Sequence, residues 1–398
     1  MQAVLMVAGK STRTYPLTLT RPKPLLPIMN RPLIMHSLDQ MEGLFDQVIL
    51  IVGYRQEMIK SMLGNRYKNI DLIYQEQEKQ LGTGDAILQA KPFINGKFVA
   101  MNGDDLFARE DLKHLIELDD GALAKKVEDP SLYGVYEVDE KSRALHLVEK
   151  PKEPIGNLAN IGCYVFQPDI FEKIEKTSFS ERGEIEIVDA ILQVMEERDF
   201  KVLPINGFWL PTGYAWDLLT HQEFFMPELT GMENQGTVEE HVVLHGPVRI
   251  GKGTIIKSGT CIEGPVIIGD NCNIGPNCYL RKHSSIGDEC RIGQGVEIKN
   301  SLIMSGSTVA HLSYIGDSVI GEGCNIGGGS ITANKRHDGN NIKSMIKGKL
   351  VDSRRHKLGA ILADHVSLGI HTSIYPGRKI WPRLGTHPGK IVDRDIME

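Results

Sequence analysis

Gly9, Lys10, Ser11 and Thr12 follow the first apolar run of the chain, MQAVLMVA. A glycine, a lysine and two hydroxyls in that order suit a phosphate cradle, in which backbone N–H groups and an ammonium meet phosphate oxygens. A Walker loop also needs a glycine five residues before its last one. That position is Val4, so the string does not read as a P-loop ATPase or kinase. Six cysteines occur in 398 residues, with no CxxC pair. That argues against a disulfide framework or a zinc finger and makes a reducing cytoplasm the expected compartment. A third chemical feature is the stretch 335–357, KRHDGNNIKSMIKGKLVDSRRHK, which holds eight Lys/Arg against two Asp.

The elements around the first string alternate. QAVLMVA, DQVILIV, NIDLIY and KFVAMN read as strands; Pro32 to Met41, Glu57 to Leu63 and Thr83 to Ala90 read as helices. Short apolar strands separated by helices indicate an α/β domain with a mostly parallel sheet. Ligands of such sheets sit at the carboxyl ends of the strands, which points to the residues after Ala8, Tyr74 and Asn102. Net charge is −6, so no global basic field argues for nucleic acid. No apolar run reaches the ~20 residues of a membrane span, and the N-terminus lacks the basic region of a signal peptide.

The second part has a different period. Aliphatic residues recur every six positions from Leu244 through Ile250, Ile256 and Ile262 to Ile298 and Met304. Two residues before each stands a small or β-branched residue, among them Thr254, Thr260, Cys272, Cys278 and Cys290. A six-residue repeat is the mark of a parallel β-helix, three short strands to a triangular coil. All 11 phenylalanines lie before residue 226 and 24 of the 41 glycines after 239, as a narrow, turn-rich interior requires. Cys272, Cys278 and Cys290 are then small core fillers. The phase breaks after Met304, and Leu362, Leu368, Ile374 and Ile380 resume it. The basic stretch lies between and reads as an insertion lining a functional face, or else as a solvated loop. The boundaries expected are a first domain over 1–226, a linker over 227–240 and a β-helix over 241–398.

AGKSTRTYPLTLTRPKPLLPI (8–28) resembles the signature of sugar-1-phosphate nucleotidylyltransferases. The resemblance continues through QLGTGDAI (80–87), NGDD (102–105), YGV (133–135), VEKP (148–151), NIGCY (160–164) and GEIEIVDAI (183–191). It implies a Rossmann-like domain in which a sugar phosphate attacks the α-phosphorus of a nucleoside triphosphate and pyrophosphate leaves. By that resemblance Ala8 and Gly9 approach base and phosphates, and Arg13 and Lys23 neutralise the triphosphate. Gln77 and Gly82 hold the pyrimidine with Thr83 nearby, Gln75 being the alternative to Gln77. Asp104 carries Mg²⁺, with Asp105 next in line. Gly134, Glu149 and Asn160 bind the sugar, and Lys150 faces a phosphate. Two positions depart from the signature: Ser11 replaces its second glycine, and Pro211 stands where its second metal carboxylate is expected, with Asp217 belonging to a later element.

STVAHLSYIGDSVIGEGCNIGGGSITAN (307–334), with LRKHSSIG and VEIK upstream, resembles the acetyltransferase site of bifunctional N-acetylglucosamine-1-phosphate uridylyltransferases, in their archaeal form with a short left-handed β-helix. The resemblance implies His311 as general base for the amine that attacks acetyl-coenzyme A. Arg281, Lys299, Tyr314, Asn325 and Asn334 would grip the sugar phosphate. Lys343 is the candidate phosphate contact, with Lys335 or Lys347 as alternatives. The substrates implied are UTP, a sugar-1-phosphate and acetyl-CoA, the assembly a homotrimer. Two other readings stay open at this point. One is a monofunctional pyrophosphorylase with a structural β-helix; the other is a nucleotide-binding scaffold that has lost activity.

Overall fold

The computed structural model describes residues 1–151, 153 and 155–398. The chain divides into two compact units. One comprises Met1–Lys10, Pro22–Leu25 and Leu33–Pro211; the other comprises Ser11–Arg21, Leu26–Pro32 and Thr212–Glu398. Compactness thus places part of the first signature with the second unit. Within that unit Thr20 Oγ1 donates to Asp364 at 2.6 Å, and Arg21 pairs with both Asp364 and Glu322 at 2.6 Å.

The first unit is built on a twisted sheet. Its parallel part is made by β1 (Gln2–Met6), β2 (Gln47–Val52), β3 (Ile70–Glu76) and β4 (Phe98–Asn102). The helices α1 (Leu33–Met41), α2 (Gln56–Leu63) and α3 (Thr83–Leu88) make the crossovers. Side chains alternate across the sheet, as period two demands. Ala3, Leu5, Val48, Leu50 and Val52 enter one apolar layer, and Val4, Ile49, Ile51 and Ala100 the other. β1 lies between β2 and β4, parallel to both, so the strand order reverses there. At such a reversal the loops after the strands part and leave a crevice. The rest of the unit adds β5 (Asp105–Phe107), β6 (Gly121–Lys126), β7 (Gly134–Val138), β8 (Ala144–Glu149), β9 (Leu158–Phe166), β10 (Lys201–Pro204) and β11 (Trp209–Pro211). β9 runs antiparallel to β4, β6 and β7, and β7 antiparallel to β8.

Most of the second unit is a left-handed parallel β-helix. Its three faces are stacks of eight, seven and eight strands. Ile250, Ile268 and Ile286 stack at intervals of one coil, as do Ile256, Ile274 and Ile292. Cys272, Cys278, Cys290 and Cys324 are buried. Their thiols donate to carbonyls of the next coil, Cys272 to Gly287 and Cys278 to Gly293, both at 3.0 Å. They are core fillers, as the small-residue series requires.

The phase break comes earlier than the sequence suggests. Ile286 is followed on its face by Ile303, not Met304, and Ile303 by Ile320. Two turns, at Asn300 and Asp317, are each one residue short and take positive φ, 45° and 49°. Met304 extends the six-residue count only because two apolar residues are adjacent. The basic insertion is ordered: Lys343–Ile346 pairs antiparallel with Lys349–Asp352. Ile342 is buried and Ser344 Oγ donates to Gly377 O at 2.8 Å.

Candidate functional sites

In the first unit the loop after β1 is held open by its neighbours. Ala8 O accepts from Tyr54 N at 3.1 Å and from Gln80 Nε2 at 3.3 Å. A side chain at Gly9 would meet no protein atom within 4 Å, so the space over this backbone is open. Gly103 packs on Val7 and Met6 O, which lets the NGDD turn close against the end of β1. There Asp104 is salt-bridged to the buried Lys23 ammonium. Asp105 points inward. Trp209 Nε1 donates to its carboxylate at 3.2 Å and Asn102 Nδ2 at 3.4 Å. Burial, then the charge of Asp104, pushes its pKa up to about 7. Asp104 is the carboxylate left partly open, and Pro211 lies cross-strand from Asp105 in the β5–β11 pair. Asp217, in the second unit, is committed to the N-terminus of its own helix, accepting from Gly213 N at 2.8 Å and Tyr214 N at 2.7 Å.

Gln77 and Gly82 are fixed by packing. Gln77 is buried, and its amide donates to Asp85 Oδ2 at 2.6 Å and to Gly82 O at 3.2 Å. Gly82 has φ +110°, and a Cβ there would stand 2.5 Å from Ile185 O. Thr83 Oγ1 accepts from Ile187 N at 3.2 Å. The strings QLGTGDAI and GEIEIVDAI therefore close on each other, and the glycine is required by that approach. Gln75 is half-buried on β3.

Gly134, Glu149 and Asn160 converge on the neighbouring strands β7, β8 and β9. A Cβ on Gly134 would stand 2.8 Å from Glu149 Oε2 and 3.6 Å from Asn160 Cβ. Asn160 Oδ1 accepts from Tyr164 OH at 2.9 Å. Lys150 is exposed, follows Glu149 with φ 47°, and its ammonium lies 3.7 Å from Glu149 Oε1.

In the second unit Ser11 adopts the left-handed conformation, φ 51°, that the signature's glycine would take freely. Its carbonyl accepts from Thr14 Oγ1 at 2.6 Å and Thr18 Oγ1 at 3.0 Å. The Arg13 guanidinium stands 5.8 Å from the Tyr214 ring centre, within cation–π range.

His311 is exposed at a corner of the β-helix, where Gly328 of the next coil leaves room for its ring. It borders an open groove of about 680 Å³ lined by Ile255, Asn273, Arg291, Gln294 and Thr308. Two other expected residues, Lys299 and Asn334, meet on a single carboxylate, and a third, Tyr314, joins them through Asn334. Asp317, almost wholly buried, accepts from Asn334 Nδ2 at 2.6 Å and pairs with Lys299 Nζ at 3.2 Å. The same Asn334 nitrogen lies 3.0 Å from Tyr314 OH. Burial raises the Tyr314 pKa, while the Lys299 charge opposes the rise. Arg281, one coil away, is paired with Glu297 at 2.8 Å. Asn325 lies apart from this cluster, beside Thr308 and Ser367 in the adjacent stack.

Lys343 is carried into the hairpin, where it borders a 530 Å³ cavity with Arg336, Asn341 and His356. Lys357, which the spacing after the TxN string did not single out, stands beside Lys299 instead. The repulsion of Lys299, with a contribution from Lys335, holds its pKa below the usual lysine range. Lys357 forms an antiparallel bridge with Lys335. The insertion separates Lys357 from the motif in sequence and returns it in space.

A nucleotidyl transferase family profile matches residues 2–227, and a GMPPB C-terminal domain profile matches residues 262–378. The bifunctional protein GlmU of Methanocaldococcus jannaschii is 39% identical over 396 residues, covering 100% of this chain and 96% of its own. A bifunctional sugar-1-phosphate nucleotidylyltransferase/acetyltransferase of Sulfurisphaera tokodaii is 38% identical over 400 residues, covering 100% and 98%. Among solved structures, a UDP-glucose pyrophosphorylase complexed with UDP-glucose matches 56% of this chain and 97% of its own. Its TM-score is 0.52 at 25% identity. Fold and matches together define a nucleotidyl transferase domain joined to a β-helix. The chain belongs to the family of bifunctional sugar-1-phosphate nucleotidylyltransferase/acetyltransferases that includes the archaeal GlmU proteins.

Proposed function

We propose that the protein makes UDP-N-acetylglucosamine in two steps. The β-helix, whose stacks already begin at Met232–Asn234 within the stretch expected as a linker, acetylates glucosamine-1-phosphate, and the domain over 1–226 joins the product to UTP. The observation that carries this reading is the end-to-end match to relatives named as bifunctional.

In the first step the sugar amine attacks the thioester carbon of acetyl-CoA. His311 takes the amine proton, the C–S bond breaks, and the CoA thiolate leaves. Lys299, Lys357 and Arg281 supply positive charge for the sugar phosphate, and Tyr314 and Asn334 supply directional hydrogen bonds. Asn325 and Lys343, away from this cluster, are weaker candidates for the same ligand. The groove beside His311 has room for the coenzyme, and a homotrimer would complete it with a neighbouring subunit.

In the second step a sugar phosphate oxygen attacks the α-phosphorus of UTP and pyrophosphate leaves. The open backbone at Gly9, next to the buried Ala8, admits base and phosphates, with Gln77, Gly82 and Thr83 shaping the base pocket's wall. Gly134, Glu149, Asn160 and Lys150 face the sugar. Lys23 and Arg13 offset the triphosphate charge. The carboxylates present fit Mg²⁺ in one form: Asp104 is part-exposed and paired with Lys23, Asp105 is buried with its pKa pushed up to about 7, and Pro211 has no side-chain ligand atom. Magnesium sites often use one or two carboxylates with substrate phosphates and water. Held so, Mg²⁺ would supply charge neutralisation at the reacting phosphates.

The test is an incubation of the purified protein with glucosamine-1-phosphate, acetyl-CoA, UTP and Mg²⁺, and a parallel one with glucose-1-phosphate in place of glucosamine-1-phosphate, both read by mass. UDP-N-acetylglucosamine is expected. Nucleotide-sugar formation from glucose-1-phosphate alone, with no acetyl transfer, would instead support the monofunctional reading.

A further inference from the structure

The two shortened turns of the β-helix stack on each other. Asn300 and Asp317 occupy equivalent places in successive coils, and Asn300 Nδ2 donates to Asp317 Oδ1 at 2.8 Å. The left-handed backbone at both positions suits Asn and Asp, whose short polar side chains tolerate it. Each turn loses one residue, and the Asp317 side chain is drawn in from solvent, leaving 3% of it exposed. A buried carboxylate is costly unless it is paired and hydrogen-bonded. Asp317 meets that condition through Lys299, Asn334 and Asn300. The far side of Asn300 is braced in turn: its amide also reaches Glu223 Oε1 at 2.7 Å, and Arg355 NH1 holds Glu223 Oε2 at 3.0 Å.

We propose that Asp317 is a positioning residue for acetyl transfer, setting the aim of Lys299, Asn334 and Tyr314 toward the sugar phosphate. The proposal rests on the acetyltransferase reading above. A carboxylate within a phosphate site looks contrary, since it repels the ligand. Its place behind the cations resolves this. Both Asp317 oxygens are engaged by protein donors, so the carboxylate orders Lys299 and orients the Asn334 amide. Without its charge, Lys299, Lys335 and Lys357 would repel one another and spread.

The test is Asp317→Asn in the full-length protein, which keeps shape and backbone preference and removes charge. Wild-type acetyl transfer to glucosamine-1-phosphate is measured first; if absent, the acetyltransferase reading fails, whatever Asp317 does. With it present, the variant should raise KM for glucosamine-1-phosphate at least tenfold, leaving KM for acetyl-CoA and uridylyl transfer within about twofold. A general loss of packing would move all three. An unchanged KM for the sugar phosphate in a folded variant overturns the proposal. Should Asp317→Asn not fold, Asn300→Gly decides the matter, since it loosens the brace, keeps the carboxylate and takes the same positive φ freely. A rise of about two- to fivefold in the same KM is expected; no rise overturns the proposal.

Discussion

His311 and Pro211 are single residues on which the two activities can be told apart. His311→Ala should lower acetyl transfer by roughly 10²–10⁴-fold, the usual contribution of a general base, and leave uridylyl transfer near wild type. Both rates measured on one preparation check this, and equal losses would make the histidine structural. Pro211 lies cross-strand from Asp105 and one residue from the level of Asp104. Pro211→Asp places a carboxylate there and should lower the Mg²⁺ concentration for half-maximal uridylyl transfer. Proline fixes φ and lacks an N–H, so retained acetyl transfer and an unchanged far-ultraviolet spectrum are the controls. If the folded variant keeps the wild-type Mg²⁺ dependence, the position does not belong to the metal site.

Turns and strands explain why some motif residues were legible and others were not. The glycines of the signature have two distinct duties. Gly9 faces open space, so Gly9→Ala should leave stability within about 0.5 kcal/mol and weaken UTP binding. Gly82 is pressed against Ile185 O at positive φ, so Gly82→Ala should destabilise by about 1–3 kcal/mol. Thermal melting with and without UTP separates the two; equal melting temperatures would show that the close approach at Gly82 is not needed. The α/β alternation and the six-residue period were readable because burial repeats along the chain. Ile303 was missed because Met304 beside it is equally apolar, and only the length of the Asn300 turn decides between them. Lys357 was missed because a hairpin separates it from the motif it serves. Asp317 stood in the quoted AHLSYIGD string without a role, since a carboxylate does not suggest phosphate until its donors are seen.

The molecule as a whole presents apolar surface that its own chain does not cover. Leu312 and Ile370 are 67% and 53% exposed, and both adjoin the corner that carries His311. The proposed trimer would cover both side chains. Ile370→Glu should reduce the mass in light scattering from three copies of the 44.3 kDa chain toward one. Acetyl transfer should fall with it, and uridylyl transfer should persist. A variant that keeps the trimeric mass and full acetyl transfer would place the interface elsewhere.

The basic insertion also bears on how the β-helix assembles. Coil-to-coil pairing before it joins residues 17 apart, Leu302 with Val319; across it, Val319 waits for Ile361, 42 residues on. Closing the longer loop costs about 0.8 kcal/mol more by the logarithmic law. That increment is small beside the apolar contact of one added coil. It falls, though, at a single step in an otherwise even ladder. The coils before Val319 add in increments of 17 or 18 residues, and those after it, holding Leu362, Leu368 and Ile374 in the core, join across the one long loop. The hairpin shortens that loop by folding on local contacts, Lys343 to Asp352. It also brings Lys357 beside Lys299, so the proposed acetyl site is complete only once the coils on both sides of the insertion have joined.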